Sequence, residues 1–160
     1  MLAGTGDNPA TLLGCGGHAV ISLGTSYTVN GVMKSIVPSE SGTYNIFGYA
    51  PGKAMALSVF TNGGKVHDHF LRKYMLDSTT HDPTQQDWND YCSAAGNPLL
   101  QEREPLMLPY LQDESVPLKR RGVVRDGLGV DDGNANIRAL AVSQALSLKL
   151  HSDHLHDVDT

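Results

Sequence analysis

The stretch from Gly4 to Ser26, GTGDNPATLLGCGGHAVISLGTS, constrains the fold of this chain more than any other segment. Asp7 is typical of a helix cap, and the residue pattern predicts a short helix over 8–13 that glycines end. A short apolar strand over 19–23 then runs directly into a turn over 24–26. A helix, a strand and a tight turn in close succession indicate an α/β domain.

The same segment carries residue types that phosphoryl transfer uses. A carboxylate such as Asp7 can accept a proton from a substrate hydroxyl. A small turn of the type Gly24-Thr25-Ser26 can offer N–H and O–H groups to phosphate oxygens. Each tripeptide alone is a common helix cap or tight turn. Their order, with a strand between them, favours a phosphate site.

Composition excludes several classes of protein. With 160 residues, 40% hydrophobic and 18% charged, the chain is long and apolar enough for one domain with a core of its own. A net charge of −5 gives no electrostatic reason to expect nucleic acid or an anionic membrane as partner. The absence of a long apolar run or a signal peptide predicts a cytoplasmic protein. Cys15 and Cys92 are expected to be reduced, partly buried thiols.

The rest of the chain alternates strands and helices. Further strands are predicted over 27–33, 44–49, 54–60 and 106–111, and helices over 65–76, 87–95 and 134–155. The apolar run over 54–60 is typical of a central strand. Gln144 is the single polar member of the apolar face of the last helix, which Asp132 or Asn134 would cap. The segment 113–129 is predicted to be irregular.

A family resemblance begins at these motifs. Gly6-Asp7-Asn8, followed by Ser22-Leu23-Gly24-Thr25-Ser26, resembles the second half of an FGGY carbohydrate kinase, and within that family the xylulose kinases most. The resemblance implies an ATP-dependent kinase of a pentulose such as xylulose. It implies Asp7 as general base, Asp7 and Asn8 at the sugar, and Gly24, Thr25 and Ser26 at the phosphates of ATP, which Mg²⁺ would bridge.

The order of elements resembles a ribonuclease H-like domain of the actin-like ATPase fold, an α/β fold with a mixed sheet flanked by helices. The resemblance runs from Gly4 to about residue 155. It implies that residues 1–160 are an incomplete part of the C-terminal domain of a sugar kinase, with the N-terminal domain and a final Gly-rich adenosine element absent. We therefore expect an inactive isolated chain that forms a homodimer or associates with the missing kinase segments.

Two further segments resemble the family. In Asn62-Gly63-Gly64-Lys65, Gly63 and Gly64 either lie near the nucleotide or merely allow close packing of helix on strand. The segment from Leu108 through Glu114 to Gly122 resembles a strand and loop of the family, although we favour a purely structural loop.

Two other functions stay open. The chain could be a non-catalytic ribonuclease H-like module that assembles with a partner chain. It could also be a small metal-binding protein that uses His151, His154 and His156. His67 and His69 are expected to face solvent or a neighbouring loop.

Overall fold

A computed structural model describes residues 6–17, 19–76, 81–96 and 104–152. All nine predicted elements occur, and one strand, β6, is added. In chain order the elements are α1 (Asp7–Gly14), β1 (Val20–Leu23), β2 (Tyr27–Val32), β3 (Asn45–Ala50), β4 (Lys53–Phe60), α2 (Gly64–Tyr74), α3 (Gln85–Ala95), β5 (Leu106–Tyr110), β6 (Gly122–Asp126) and α4 (Gly133–Leu150).

The described strands form two antiparallel sheets. Four strands pair in the order β1-β2-β4-β3, and β5 pairs with β6. The α/β fold class is confirmed, but the expected mixed sheet divides into these two sheets. Short connections join β1 to β2 and β3 to β4, and such connections favour antiparallel pairing, whereas a parallel pair needs a long crossover. The predicted central strand is confirmed, since β4 lies inside its sheet with residues 54–58 buried.

Helix α1 packs on one face of the four-stranded sheet through Leu12, which contacts Met55 and Leu57. The prediction that Asp7 caps this helix is wrong. Gly6 is the capping residue and makes no side-chain capping bond, so Asp7 is the first helical residue. Its carboxylate instead accepts a hydrogen bond from the neighbouring N–H of Asn8 at 2.9 Å.

Strand β6 lies within the segment predicted to be irregular. In the five residues GVVRD, exposed and half-buried positions alternate but none is fully buried, so the segment lacks the apolar run typical of a core strand. Strand β5 accommodates Pro109 because its edge away from β6 pairs with no other described strand. There the N–H of Met107 donates to the hydroxyl of Ser143 at 2.8 Å, and Pro109 has no N–H to leave unpaired.

A hydrophobic core separate from the one beneath α1 lies between the helices α2, α3 and α4 and the strand β5. Phe70, Leu71, Met107, Ile137 and Leu140 lie fully inside it. The cap of α4 by Asp132 is confirmed, because the Asp132 side chain accepts from the N–H of Ala135. The helix ends at Leu150, earlier than predicted.

Two further predictions concern the cysteines and a possible membrane span. Cys15 and Cys92 are free thiols, as predicted, but both are exposed rather than partly buried. Within the described ranges, no helix is long and apolar enough to cross a lipid bilayer.

Candidate active site

The site is built where two turns lie against each other. One turn, over 24–26, joins β1 to β2, and the other, over 61–63, joins β4 to α2. The N–H of Gly64 donates to the carbonyl of Gly24 at 2.9 Å, and the N–H of Lys65 donates to the carbonyl of Thr25 at 3.4 Å. The start of α2 is thereby bonded to the hairpin turn, which we call the phosphate turn (Gly24-Thr25-Ser26).

Gly63 and Gly64 are required by the close approach of these two turns. A methyl group on Gly63 would lie 2.6 Å from the backbone nitrogen of Tyr27, and one on Gly64 would lie 2.5 Å from the carbonyl oxygen of Gly24. This geometry supports the packing interpretation of the two glycines. A nucleotide contact through them stays a prediction, and the N–H of Gly64 is already engaged with the phosphate turn.

The phosphate turn keeps a polar side toward solvent. Its carbonyl groups at Gly24 and Thr25 point toward α2, and both residues are exposed. Ser26 is half-buried, and its hydroxyl donates weakly to the carbonyl of Thr61 at 3.5 Å. Within the described part of the chain, the Thr25 hydroxyl makes no hydrogen bond, so it is free to bind an oxyanion.

Asp7 and Asn8 lie at the same end of the sheet as the phosphate turn. The side-chain oxygen of Asn8 accepts from the hydroxyl of Thr28 at 3.4 Å. Thr28 follows Ser26 by two residues along β2, a distance of about 7 Å in a strand. The carboxylate of Asp7 is exposed and accepts from the N–H and side-chain amide of Asn8. The hydrogen bond from Thr28 to Asn8 therefore ties the start of α1 to β2 just after the phosphate turn.

Glu114 is the main residue at this site that the sequence analysis undervalued. Its side chain is only 3% exposed. The carboxylate accepts hydrogen bonds from the N–H groups of Thr61, Asn62 and Ser115 and from the side-chain amide of Asn62. Glu114 thus anchors the turn that seats the phosphate turn. The available signal was its place in the segment that resembles the kinase family.

The prediction that His67 faces solvent or a neighbouring loop is wrong, because the imidazole lies against helices α3 and α4. Its Nδ1 lies 2.7 Å from the hydroxyl of Tyr91, and its Nε2 lies 2.6 Å from the side-chain oxygen of Gln144. The amide of Gln144 donates to the carbonyl of Asn62 at 2.8 Å, so Nε2 of His67 carries the proton and Nδ1 accepts. Burial lowers the pKa of His67 and raises the pKa of Tyr91. His69 is exposed, as predicted.

The described residues do not form a cation site. No three His, Cys, Asp or Glu side chains within these ranges converge on a point that could hold a metal ion. His151 packs near the ring of Phe60, with ring centroids 6.1 Å apart, while His154 and His156 lie outside the described residues. Mg²⁺ in kinase sites is held by one or two carboxylates together with substrate phosphates, so a Mg²⁺ bridge at the phosphates of ATP stays a prediction.

The fold matches one part of the solved xylulose kinase structures. The chain superposes on xylulose kinase from Rhodospirillum rubrum with a TM-score of 0.77 and 16% identity, covering 98% of this chain and 31% of that one. For xylulose kinase from Bifidobacterium adolescentis the TM-score is 0.75 with 19% identity, covering 98% and 31%. The chain therefore adopts part of an actin-like kinase fold.

A curated relative supports the same assignment at the level of sequence. The chain is 28% identical over 173 residues to a protein described as probable D-xylulose kinase A, from Aspergillus clavatus. No family model matches the chain. The match covers 95% of this chain and 30% of the relative, so the chain spans about a third of the length of such a protein. The predicted resemblance is confirmed as a similarity to a probable xylulose kinase in sequence and to solved xylulose kinases in fold over that part.

Proposed function

We propose that the chain forms part of the cleft of an ATP-dependent sugar kinase that phosphorylates a pentulose such as xylulose. The observation that carries this proposal is the hydrogen bond from Thr28, which follows the phosphate turn on β2, to Asn8 beside Asp7, in a chain similar in sequence to a probable D-xylulose kinase. The similarity to the probable D-xylulose kinase A of Aspergillus clavatus supports D-xylulose as the sugar.

Each residue has a distinct role in this proposal. Asp7 accepts the proton of the sugar hydroxyl, since its carboxylate is exposed and engaged only with Asn8 among the described residues. Asn8 contacts the sugar beside it. Gly24, Thr25 and Ser26 hold phosphate oxygens of ATP, which supplies the transferred phosphoryl group when bound. Gly63 and Gly64 seat the phosphate turn.

We propose further that residues 1–160 belong to the C-terminal ribonuclease H-like domain of such a kinase. Phosphoryl transfer needs the sugar, the nucleotide and the base held in line in a closed cleft. The described residues supply one wall of that cleft, so we expect no kinase activity from the isolated chain. A cytoplasmic location stays a prediction.

The outer edge of β1 is the proposed contact with the missing kinase segments or with a second copy. Among the described strands at sheet edges, β3 is interrupted by an irregular register, β5 is closed by Pro109 and Ser143, and β6 carries charged residues. Strand β1 has none of these protections, and its Ile21 and Leu23 are 55% and 66% exposed. The same edge favours the alternative of a non-catalytic module that assembles with a partner chain.

The test is the substitution Asp7→Asn, measured by ADP release with xylulose after the chain is completed with the missing segments of a homologous xylulose kinase. We expect turnover to fall by about two to four orders of magnitude, with ATP affinity nearly unchanged. Asp126→Asn, which changes an exposed carboxylate of β6, is the matched control and should behave like the wild type. Near-normal turnover of Asp7→Asn would remove Asp7 from the mechanism.

A further inference from the structure

The phosphate turn is held by backbone hydrogen bonds from the start of α2. Gly64 and Lys65 bind its carbonyl groups, and these two residues follow directly on Asn62 and Gly63. The position of the phosphate turn therefore depends on what holds the segment 61–63. That segment has no regular secondary structure of its own.

Two buried side chains hold this segment from opposite sides. The carboxylate of Glu114 accepts hydrogen bonds from the backbone nitrogen of Asn62 at 3.0 Å and from its side-chain Nδ2 at 2.9 Å. The side-chain NH₂ group of Gln144 donates to the carbonyl oxygen of Asn62 at 2.8 Å and to that of Gly63 at 3.4 Å. The backbone on either side of Gly63 is thus fixed through both its donors and its acceptors.

Every polar contact of the Glu114 side chain among the described residues is with a donor. Two N–H groups, of Thr61 and Ser115, meet Oε1, and two, both from Asn62, meet Oε2. Hydrogen bonds to an ionised acceptor are the stronger kind. A carboxamide at this position would point its NH₂ group at two donors in either orientation, so it would break one half of the arrangement.

We propose that Glu114 is a positioning residue for the phosphate turn: its buried carboxylate fixes the segment 61–63, and through Gly64 and Lys65 it sets the direction of Gly24, Thr25 and Ser26. The inference rests on the proposed function in so far as the phosphate turn binds ATP. The bracing itself is a property of the free chain and can be measured without a nucleotide.

The experiment compares Glu114→Gln with Asp113→Asn in the 160-residue chain. Asp113 is the exposed carboxylate beside Glu114, and it contacts Arg120 and the N–H of Arg121, away from the phosphate turn. We expect Glu114→Gln to speed amide hydrogen exchange at Gly64 and Lys65 by about tenfold or more, as for loss of one hydrogen bond to a charged group. Exchange in the middle of β2 and β4 should change little, and Asp113→Asn should change neither.

Exchange at Gly64 and Lys65 that stays unchanged, or that rises equally throughout β2 and β4, would overturn the positioning role. Glu114→Asp, which keeps the charge and shortens the side chain, serves as the second variant if Glu114→Gln does not fold. It should show the same local pattern at smaller amplitude.

A titration with ATP, followed through the amide resonances of residues 24–26, separates the two claims. If the wild-type resonances respond, Glu114→Gln should weaken the response about tenfold, by the same single-bond argument, while Asp113→Asn stays within twofold of wild type. Equal affinity in Glu114→Gln and wild type would overturn the positioning role. If the wild-type chain does not respond, nucleotide binding by this turn fails, and the exchange measurement alone decides the bracing by Glu114.

Discussion

The substitution Gly63→Ala tests the contact between the two turns most directly. The added methyl group would lie 2.6 Å from the nitrogen of Tyr27 and 2.8 Å from the Cα and carbonyl carbon of Ser26. All three are backbone atoms inside a hydrogen-bonded structure, so no side chain can rotate to make room. Either the phosphate turn separates from α2 or the strand β2 shifts.

The expected cost is at the upper end of the range for overpacking, about 3 kcal/mol in the free energy of unfolding. For a chain of this length, 1 kcal/mol corresponds to about 2–4 °C in Tm, so the substitution should lower Tm by about 6–12 °C. Urea unfolding followed by circular dichroism measures the free energy, and a calorimetric scan measures Tm.

Gly48→Ala is the matched control, because a methyl group on Gly48 in β3 meets nothing within 4 Å. We expect its free energy of unfolding to stay within about 0.5 kcal/mol of the wild-type value. If Gly63→Ala and Gly48→Ala had the same stability, the two turns would not be in the close contact described above, and the positioning of the phosphate turn by α2 would be refuted.

Two further predictions concern the hydroxyl of the phosphate turn and the buried imidazole. Thr25→Val, assayed in the completed kinase, should weaken ATP binding by about 1–3 kcal/mol without lowering Tm, and unchanged affinity would show that Thr25 only shapes the turn. Because burial lowers the pKa of His67, this histidine is protonated near pH 6.5 in the unfolded chain but only at lower pH in the folded chain. Stability is therefore expected to fall as the pH decreases below 6.5, by at most about 1.4 kcal/mol per pH unit for this one group. Urea unfolding at several pH values should show a smaller slope for His67→Gln and the wild-type slope for His69→Gln; equal slopes in both variants would refute the assignment.

Much of the fold was predictable because its signals are local. The apolar run of β4, the stripe of α2 through Val66 and Phe70, and the Asp132 cap of α4 each lie within one element. Strand β6 was not predicted for the same reason, since a segment of five residues with no buried member carries little local signal. The roles of Asp7 and of the phosphate turn were expected from their order along the chain and from the family resemblance, and they stay predictions.

The supporting part of the site could not be predicted from the sequence, because it depends on contacts between distant segments. Nothing near Glu114 in the chain indicates that its carboxylate would receive two donors from Asn62. His67 lies on a helix among polar residues, and only the arrival of Gln144 and Tyr91 makes it a buried group. Gln144 was recognisable as a polar residue on an apolar helix face, but the sequence did not indicate which residues it would contact.

The hydrogen bonds behind the phosphate turn also bear on the order in which the chain folds. Asn62 is separated from Glu114 by 52 residues and from Gln144 by 82. Contacts of such long sequence separation form slowly, because a large loop must close before they contribute. The sheet of β1 to β4 lies within residues 20–60, so a nascent chain can form it well before Glu114 or Gln144 leaves the ribosome. The site therefore reaches its final geometry only once α4 has been synthesised and docked.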